Sequence, residues 1–445
     1  MDKYVELSRT ILERLCTQPS IAAQGVGLQE TADLTQGLLD EAGFATRQLT
    51  VEGAPPLVWG ELRGGGPFTL LLYNHYDVQP ADPLELWDSP PFEPTVREGN
   101  LYARGVSDNK GEFAARLAAV HALRDAQGEL PVTIRWMVEG EEEIGSPHFA
   151  ALAERYADLL RADGCLWEGS GFDAADRPEI SLGAKGMLYV QYEVQGTGRD
   201  AHSGAAPILP SAAWRLVQAL NSLRDADGRV RIPGFYDGVQ PPTEAQVAAM
   251  AAQTDMEAEM RRAFGVDRFV DGLTGLALRE RAAFSPTANI AGLLTGYTGE
   301  GVKTVLPACA MAKMDFRLVP DQHPDDIFEK LRAHLMAEGF DDIRLTKLGA
   351  AEPVVTPIEH PFVQRVITAA ERFAGKPATV DPLVGGTLPF LGWLRRFVGV
   401  PGLSAPGNPT YWANNAHSPN EHIRLSDLAR AVQFNVALLT ALGKV

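Results

Sequence analysis

The sequence contains little cysteine and no long apolar run, and both absences restrict the class of protein. Its 445 residues include three cysteines, Cys16, Cys165 and Cys309, which lie far apart and lack a CxxC spacing. This pattern argues against a disulfide framework and is typical of reduced cysteines in a cytosolic protein. No apolar run approaches the roughly 20 residues needed to span a bilayer, and the N-terminus lacks a signal-peptide pattern. We therefore expect a soluble, cytoplasmic protein.

Basic residues are fewer than acidic ones. The sequence has 40 lysines and arginines against 57 aspartates and glutamates, a formal net charge of −17. Such a surface repels phosphate backbones and anionic lipids, so we expect neither nucleic acid nor a membrane among the partners. The hydrophobic content of 45% is that of an ordinary globular protein. A chain of this length is long for a single core, which favours two domains.

The order of predicted helices and strands indicates an α/β fold with a second domain inserted into it. Up to about residue 183, helices alternate with apolar strands near 56–62, 68–74, 132–138 and 164–167. This alternation is typical of a mainly parallel sheet with helices on both faces. Between 184 and 350 the order becomes β-α-β-β-α-β, that of a ferredoxin-like α+β unit, with a helical insertion at 225–286. We therefore predict one discontinuous domain, 1–183 and 351–445, and an inserted domain, 184–350.

Polar residues follow three of these apolar strands. The acidic run Glu139–Ser146 follows strand 132–138, His75 follows strand 68–74, and Glu168 follows strand 164–167. Adjacent carboxylates repel one another and are costly to desolvate, and a cation would remove both problems. Because open α/β sheets place their sites at the carboxyl ends of strands, we predict a metal site there.

Five residues form the candidate ligand set, namely His75, Asp108, Glu143, Glu168 and His417. Two histidines and three carboxylates are too many for one tetrahedral zinc, but they suit two metals that share a carboxylate. Asp77 returns to the same face of an extended chain as His75, where its carboxylate can accept the second imidazole N–H. Each residue also has an ordinary interpretation: Asp108 could be a turn residue and the acidic run a solvated helix start. The combination favours metal binding.

Eight motifs resemble the co-catalytic di-zinc metallopeptidase family. This family includes carboxypeptidase G, cytosolic carnosinase-type dipeptidases, aminoacylase and the acetylornithine and succinyl-diaminopimelate deacylases. The motifs cover nearly the whole chain in family order: HYDVQP (75–80), YARGVSDNKG (102–111), EGEEEIGS (139–146), LWEGSG (166–171), RDAHSG (199–204), VLPACAMAKMDFRLVP (305–320), GGT (385–387) and NAHSPNE (415–421). The resemblance implies a metal-binding catalytic domain and an inserted dimerisation, or lid, domain.

The resemblance also implies the metal ligands and the base. Asp108 would bridge two divalent ions, zinc with manganese or cobalt as alternatives. One site would be completed by His75 and Glu168, the other by Glu143 and His417. Glu142 would be the general base that activates a water between the metals.

Further residues would act on the substrate. His202 of the inserted domain would cross the interface of a homodimer and stabilise the oxyanion, although a surface loop histidine is the alternative. Arg317 would bind the free carboxylate of the substrate. The backbone of Gly385, Gly386 and Thr387 would lie against it, or these residues would form a simple turn.

The spacing from His75 to Asp108, with Trp87 and Pro90–Phe92 between them, resembles the dipeptidase branch of the family. We therefore expect hydrolysis of dipeptides or short peptides with a free C-terminal carboxylate. An N-acyl-amino-acid deacylase with the same chemistry is the alternative. A non-catalytic relative is a third possibility, and the intact ligand set with Glu142 argues against it.

Overall fold

The computed structural model describes residues 1–411 and 413–444, which form two main sheets and the helices that cover them. The helices of these residues are α1 (Asp2–Thr17), α2 (Leu28–Glu41), α3 (Lys110–Gln127), α4 (Phe149–Arg155), α5 (Ala157–Leu160), α6 (Ala212–Ser222), α7 (Glu244–Ala251), α8 (Glu257–Phe264), α9 (Gly275–Phe284), α10 (Pro324–Ala337), α11 (Pro361–Ala374), α12 (Pro389–Phe397) and α13 (Leu425–Leu442).

The strands of the same residues are β1 (Ala45–Leu49), β2 (Leu57–Leu62), β3 (Thr69–His75), β4 (Thr95–Arg97), β5 (Asn100–Tyr102), β6 (Thr133–Glu139), β7 (Gly164–Trp167), β8 (Glu179–Ser181), β9 (Gly183–Ala184), β10 (Gly186–Gln195), β11 (Ala201–His202), β12 (Thr287–Thr295), β13 (Val305–Leu306), β14 (Cys309–Leu318), β15 (Arg344–Ala351), β16 (Val354–Val355), β17 (Thr379–Asp381), β18 (Gly402–Ser404) and β19 (His422–Arg424).

The larger sheet has eight strands in the order β1-β2-β6-β3-β7-β18-β8-β17. Its central neighbours β6, β3, β7 and β18 run parallel, whereas β1 and β2 are antiparallel additions. Successive side chains of a strand point to opposite faces. Accordingly, Leu70 and Leu72 of β3 join the core beneath α1, α3 and α13, and Leu71 and Tyr73 join the core beneath α4 and α12. The predicted α/β fold, with helices on both faces, is confirmed.

The smaller sheet has four antiparallel strands in the order β12-β14-β10-β15. Helices α6 and α10 cover one face, and buried residues of β10, among them Leu188, Val190 and Tyr192, form the core beneath them. This sheet order and the two helices are those of the predicted ferredoxin-like unit. The edge strand β12 instead exposes Ile290, Leu293 and Leu294.

Two local predictions differ from the structure. The sequence predicts a single helix near 147–160, but the structure divides it at Tyr156, whose hydroxyl donates to the carbonyl of Thr50. The sequence also predicts that the helix 110–126 buries one apolar face. In the structure, α3 also buries polar residues such as Glu112 and Arg116, because α1 and α13 pack against it opposite the sheet.

The segment 225–286, whose role the sequence did not indicate, contacts the edge of the larger sheet. It contains α7, α8 and α9, and Met250 of α7 packs with Leu383 just after β17. Gln253 donates to the carbonyl of Val380 in β17 at 3.3 Å. The segment therefore joins the inserted part of the chain to the larger sheet. No helix in residues 1–411 or 413–444 is long and apolar enough to cross a membrane.

Candidate metal centre

Three neighbouring parallel strands end at the candidate site. Strand β3 ends at His75, β6 ends at Glu139 just before the acidic run, and β7 ends at Trp167 just before Glu168. Because β6, β3 and β7 are adjacent and parallel, these ends meet at one edge of the sheet. Asp108 lies just before α3 at the same edge, and the loop before β19 brings His417 to it.

The five candidate ligands form two groups that share Asp108. The first ligand group is His75, Asp108 and Glu168, and the second is Asp108, Glu143 and His417. In the first, His75 Nε2 lies 3.1 Å from Asp108 Oδ1 and 3.0 Å from Glu168 Oε2. In the second, His417 Nε2 lies 3.0 Å from Asp108 Oδ2 and 3.2 Å from Glu143 Oε2. The two oxygens of Asp108 thus face different imidazoles, as expected of a bridging carboxylate.

The electrostatics of both groups fit divalent cations. Burial lowers the pKa of His75, but Glu168, Asp108 and Asp77 outweigh it and raise that pKa well above its ordinary value. Hydrogen bonds to Asp108, then to Glu143, raise the pKa of His417 to about 10. Both shifts reflect excess negative charge, which a cation would neutralise while leaving the imidazoles deprotonated for binding.

A buried oxygen of the first group also fits a cation. Glu168 Oε2 has no hydrogen-bond partner among the described residues, although it lies near the imidazole of His75. An unsatisfied buried carboxylate oxygen is costly, and coordination to a cation would satisfy it. The donor set, nitrogen from histidine and oxygen from carboxylates, is one that zinc, manganese and cobalt accept.

Asp77 contacts more than the imidazole. Its carbonyl oxygen lies 3.0 Å from His75 Nδ1, closer than its carboxylate oxygen at 3.4 Å. The carboxylate instead accepts the backbone N–H groups of Glu142 and Glu143, at 3.2 and 3.0 Å. The carbonyl of Asp77 is therefore the nearer acceptor for the ring, and its carboxylate, the predicted acceptor, also holds the short turn after β6.

Glu142 lies beside the ligands but belongs to neither group. It begins the short 3₁₀ helix Glu142–Ile144, and Glu143 follows it. Burial, followed by the nearby carboxylate of Glu168, raises the pKa of Glu142 well above its ordinary value. A carboxyl group in such surroundings can take up and release a proton.

A cavity of about 340 Å³ opens beside the first ligand group. Asp108, Glu168, Gly386 and Thr387 are among its lining residues, whereas Gly385 is not. Arg317 Nη1 donates to the hydroxyl of Thr387 at 2.8 Å. The structure therefore brings Arg317, Gly386 and Thr387 to the cavity region.

His202 is not brought to this centre within one chain. It lies exposed at the end of β11, where its ring accepts the N–H of Gly204 and lies 3.4 Å from the hydroxyl of Thr304. Its hydrogen-bond partners thus include none of the candidate ligands of its own chain.

Two polar residues that support the ligands were not identified from the sequence. The buried carboxylate of Glu421 accepts the N–H groups of Gly105, Ser107 and Asp108 and pairs with Arg104. Gln79 donates to Glu143 Oε2 at 2.9 Å. Gln79 lies in the motif HYDVQP and Glu421 ends the motif NAHSPNE. A polar side chain within a motif that supplies a ligand was the sequence feature that could have identified each of them.

Two further members of the acidic run, Glu139 and Glu141, are buried and support the turn after β6 rather than being solvated. Glu139 is buried and accepts the hydroxyl of Ser146, and burial raises its pKa to about 8. Glu141 is also buried and lies 2.8 Å from His148. Both carboxylates therefore support the turn after β6 from inside the protein.

The chain combines an α/β sheet and an inserted ferredoxin-like unit with two candidate ligand groups that share one carboxylate. This combination is that expected of a hydrolase with two metal ions. The chain belongs to peptidase family M20/M25/M40, whose sequence model matches residues 71–441. This confirms the resemblance that the motifs indicated.

The chain is also similar to individual metallopeptidases in sequence and in structure. The structure is similar to that of an M20 family metallo-carboxypeptidase from Sulfolobus solfataricus, with 36% identity, a TM-score of 0.92, and coverage of 98% of this chain and 99% of that one. Human Beta-Ala-His dipeptidase is 34% identical over 63% of this chain. That match spans 56% of the length of the human protein, little more than half of it. A Cys-Gly metallodipeptidase of Schizosaccharomyces pombe is 28% identical over 75% of this chain and 74% of its own length.

Proposed function

We propose that the protein is a metal-dependent hydrolase that cleaves the amide bond of dipeptides or short peptides with a free C-terminal carboxylate. The observation that carries this proposal is the pair of ligand groups sharing Asp108, beside a cavity that Thr387 also lines. The names of the relatives support it, since they describe a metallo-carboxypeptidase and two dipeptidases.

The first ligand group would hold one divalent cation and the second group the other, zinc being our choice over manganese and cobalt. When bound, such ions lower the pKa of a water and polarise the substrate carbonyl. The buried carboxyl of Glu142 would take the proton of the attacking water and return it to the leaving amine. Asp77 would keep Glu142 in place, because its carboxylate binds the backbone of that turn.

Cationic residues support recognition of a free carboxylate. Arg317 presents a guanidinium, which binds carboxylates in bidentate fashion, next to Thr387. Lys185 lies in the same region: burial and then the charge of Arg317 lower its pKa to about 8. Positive charge near the cavity and negative charge at the metal centre suit a substrate with a carboxylate on one side of its amide bond.

The inserted unit would complete the site in a homodimer. His202 is exposed and contacts no candidate ligand of its own chain. We propose that it serves the metal centre of the partner subunit, where it would donate to the oxyanion. The apolar side chains exposed on β12 suit a dimer interface formed by the inserted domain.

A substrate panel tests the proposal. Dipeptides would be compared with their C-terminal amides and with N-acetyl and N-succinyl amino acids, before and after removal of metal with EDTA. We expect the free dipeptides to be cleaved at least about tenfold faster than the amides, because the amides lose a charged hydrogen bond. Activity should disappear with EDTA and return with zinc, manganese or cobalt.

Two results would contradict the proposal in different ways. Full activity of the metal-free protein would exclude metal-dependent hydrolysis. A clear preference for the acylated amino acids would instead favour an N-acyl-amino-acid deacylase, which uses the same chemistry on another substrate.

A further inference from the structure

Arg116 of α3 lies where two ligand-bearing strands cease to pair. The ladder between β3 and β7 runs from Leu70 opposite Gly164 to Leu72 opposite Leu166. Beyond it, Arg116 Nη1 donates to the carbonyl of Tyr73 at 2.7 Å and Nη2 to the carbonyl of Trp167 at 2.8 Å. The guanidinium therefore joins the first residue of each strand beyond the ladder, Tyr73 of β3 and Trp167 of β7.

These two carbonyls lie immediately before the first ligand group. Tyr73 precedes His75 by two residues, and Trp167 directly precedes Glu168. Arg116 is 2% exposed, and its guanidinium is planar. Because its two terminal nitrogens lie a fixed distance apart, the guanidinium constrains the separation of the two carbonyls. Since the ligands extend from these strand ends, the same contacts constrain the distance between His75 and Glu168.

A buried network extends from Arg116 to the third ligand. Arg116 Nη2 donates to Glu112 Oε1 at 2.7 Å, and Glu112 Oε2 accepts Asn109 Nδ2 at 2.8 Å. Asn109 directly follows Asp108, and its Oδ1 accepts the backbone N–H of His75 at 3.3 Å. The network thus binds His75 through its own backbone N–H, Glu168 through the carbonyl of its neighbour Trp167, and Asp108 through the side chain of its neighbour Asn109.

The second ligand group is supported by different contacts. Glu143 is held by Asp77 and Gln79, and His417 comes from a separate loop. Within the described residues, the hydrogen bonds of Arg116 go to Tyr73, Asn74, Glu112 and Trp167. None of these joins the ligands found only in the second group.

We propose that Arg116 is a positioning residue for the first ligand group, whose His75 and Glu168 it holds at a set distance. By bridging the ends of β3 and β7, it sets the spacing of His75 and Glu168 and with it the affinity of that group for a divalent cation. Arg116 acts through the backbone and touches neither metal nor substrate. The inference rests on the proposed function, because it assumes that the two groups bind metal.

Zinc titration of metal-free protein against a competing chelator tests the inference. The variant Arg116→Lys would be made in two backgrounds: His417→Ala, which keeps the first ligand group, and Glu168→Ala, which keeps the second. A lysine keeps the charge but cannot bridge both carbonyls with a planar fork. We expect zinc affinity to fall about 10- to 100-fold in the His417→Ala background, the usual effect of losing a group that orients ligands. It should fall far less in the Glu168→Ala background, where Asp108 is the one ligand of the second group next to this network.

Arg124→Lys is the matched control, since Arg124 lies two turns further along α3 and donates to the carbonyl of Ala42, away from the ligands. It should change zinc affinity in neither background. If Arg116→Lys does not fold, Glu112→Gln replaces it as the test, because Glu112 binds the Arg116 guanidinium, and it should weaken the first group more than the second. Equal weakening in both backgrounds, or none in either, would overturn the role of Arg116. Wild-type protein that binds no zinc would instead refute the proposed function.

Discussion

Glu142 and Glu143 are adjacent in the sequence but contact different partners. Glu143 Oε2 lies 3.2 Å from His417 and accepts a hydrogen bond from Gln79, whereas Glu142 belongs to neither ligand group. The turn that contains both residues is held by Asp77, whose two carboxylate oxygens accept the backbone N–H groups of Glu142 and Glu143. One turn of chain therefore supplies a candidate ligand and a candidate base that can be altered independently.

Replacement of Glu142 should separate catalysis from metal binding. In Glu142→Gln the side chain keeps its size but can no longer take up a proton. We expect kcat to fall about 10²- to 10⁴-fold, the usual contribution of a general acid–base group. Metal content by elemental analysis and the melting temperature should stay at wild-type values.

The neighbouring Glu143→Gln variant is the control. It should lose metal from the second ligand group along with activity, because the altered side chain belongs to that group. A Glu142→Gln variant with near-normal kcat would show that another group moves the proton.

At the residue scale, the candidate ligands could be predicted from the sequence more readily than the residues that support them. His75, Glu143 and Glu168 follow apolar strands, and this local pattern is visible in the sequence. Glu421 and Arg104 lie 317 positions apart, and only the folded chain brings them together. Arg116 was missed for a related reason: the two contacts that join the strand ends go to backbone carbonyls, which every residue has.

Helix α10 carries a buried histidine, and we expect it to make the stability of the inserted unit depend on pH. His334 is 5% exposed, and its Nε2 lies 3.0 Å from the hydroxyl of Ser222. That hydroxyl donates to the carbonyl of Ala219, so Nε2 carries the proton donated to Ser222. Burial lowers the pKa of His334, an effect that Arg231 adds to and Glu338 opposes.

The sign of the pH effect follows from this lowered pKa. The unfolded chain binds a proton near the ordinary pKa of 6.5 for histidine, and the fold binds it less readily. Unfolding therefore takes up protons, and stability should fall as the pH is lowered through and below that value. In His334→Gln, which can still donate to Ser222, thermal melts between pH 7.5 and 5.5 should depend less on pH. The exposed His323→Gln serves as control, and a slope unchanged in His334→Gln would contradict this account.

At the scale of elements, the length of a helix or strand determined whether it could be predicted from the sequence. The sequence predicts strand 309–318 and helices 324–337, 361–374 and 425–442. These are the bounds of β14, α10, α11 and α13, because each element is long enough to show a hydrophobic period. Strands β8, β17 and β18 have three residues each, too few for any period, and were not predicted. Helix α12 was also missed, although Pro389 at its start and the spacing of Phe390, Leu391 and Leu394 gave a usable signal.

At the scale of the whole molecule, His202 needs a second subunit if it is to act at a metal centre as we propose. His202 lies on the inserted unit, and no candidate ligand of its own chain contacts it. In a two-fold dimer each subunit presents the same surface, so one His202 could serve each metal centre reciprocally. Such a site would be built from two chains.

Mixing two inactive variants tests this arrangement directly. His202→Ala keeps Glu142 but lacks the histidine, and Glu142→Gln keeps the histidine but lacks the base. In a mixed dimer, the subunit with Glu142 would receive His202 of the partner subunit, so one of its two sites would be complete. After full subunit exchange at equal concentrations, we expect about one quarter of wild-type activity, since random pairing makes half of the dimers mixed.

The yield of activity on mixing distinguishes a shared site from a histidine that acts within its own chain. If His202 served its own subunit, each chain in the mixture would still lack one essential group, and activity would stay at the level of the separate variants. Light scattering must show dimers in every sample, and the double variant His202→Ala with Glu142→Gln, mixed with either single variant, sets the background. A double variant mixed with His202→Ala supplies no histidine at all, so activity there would mean that His202 is dispensable. Recovery confined to the one complementary mixture would require both chains at each centre, which is the property that makes the inserted domain part of the active site.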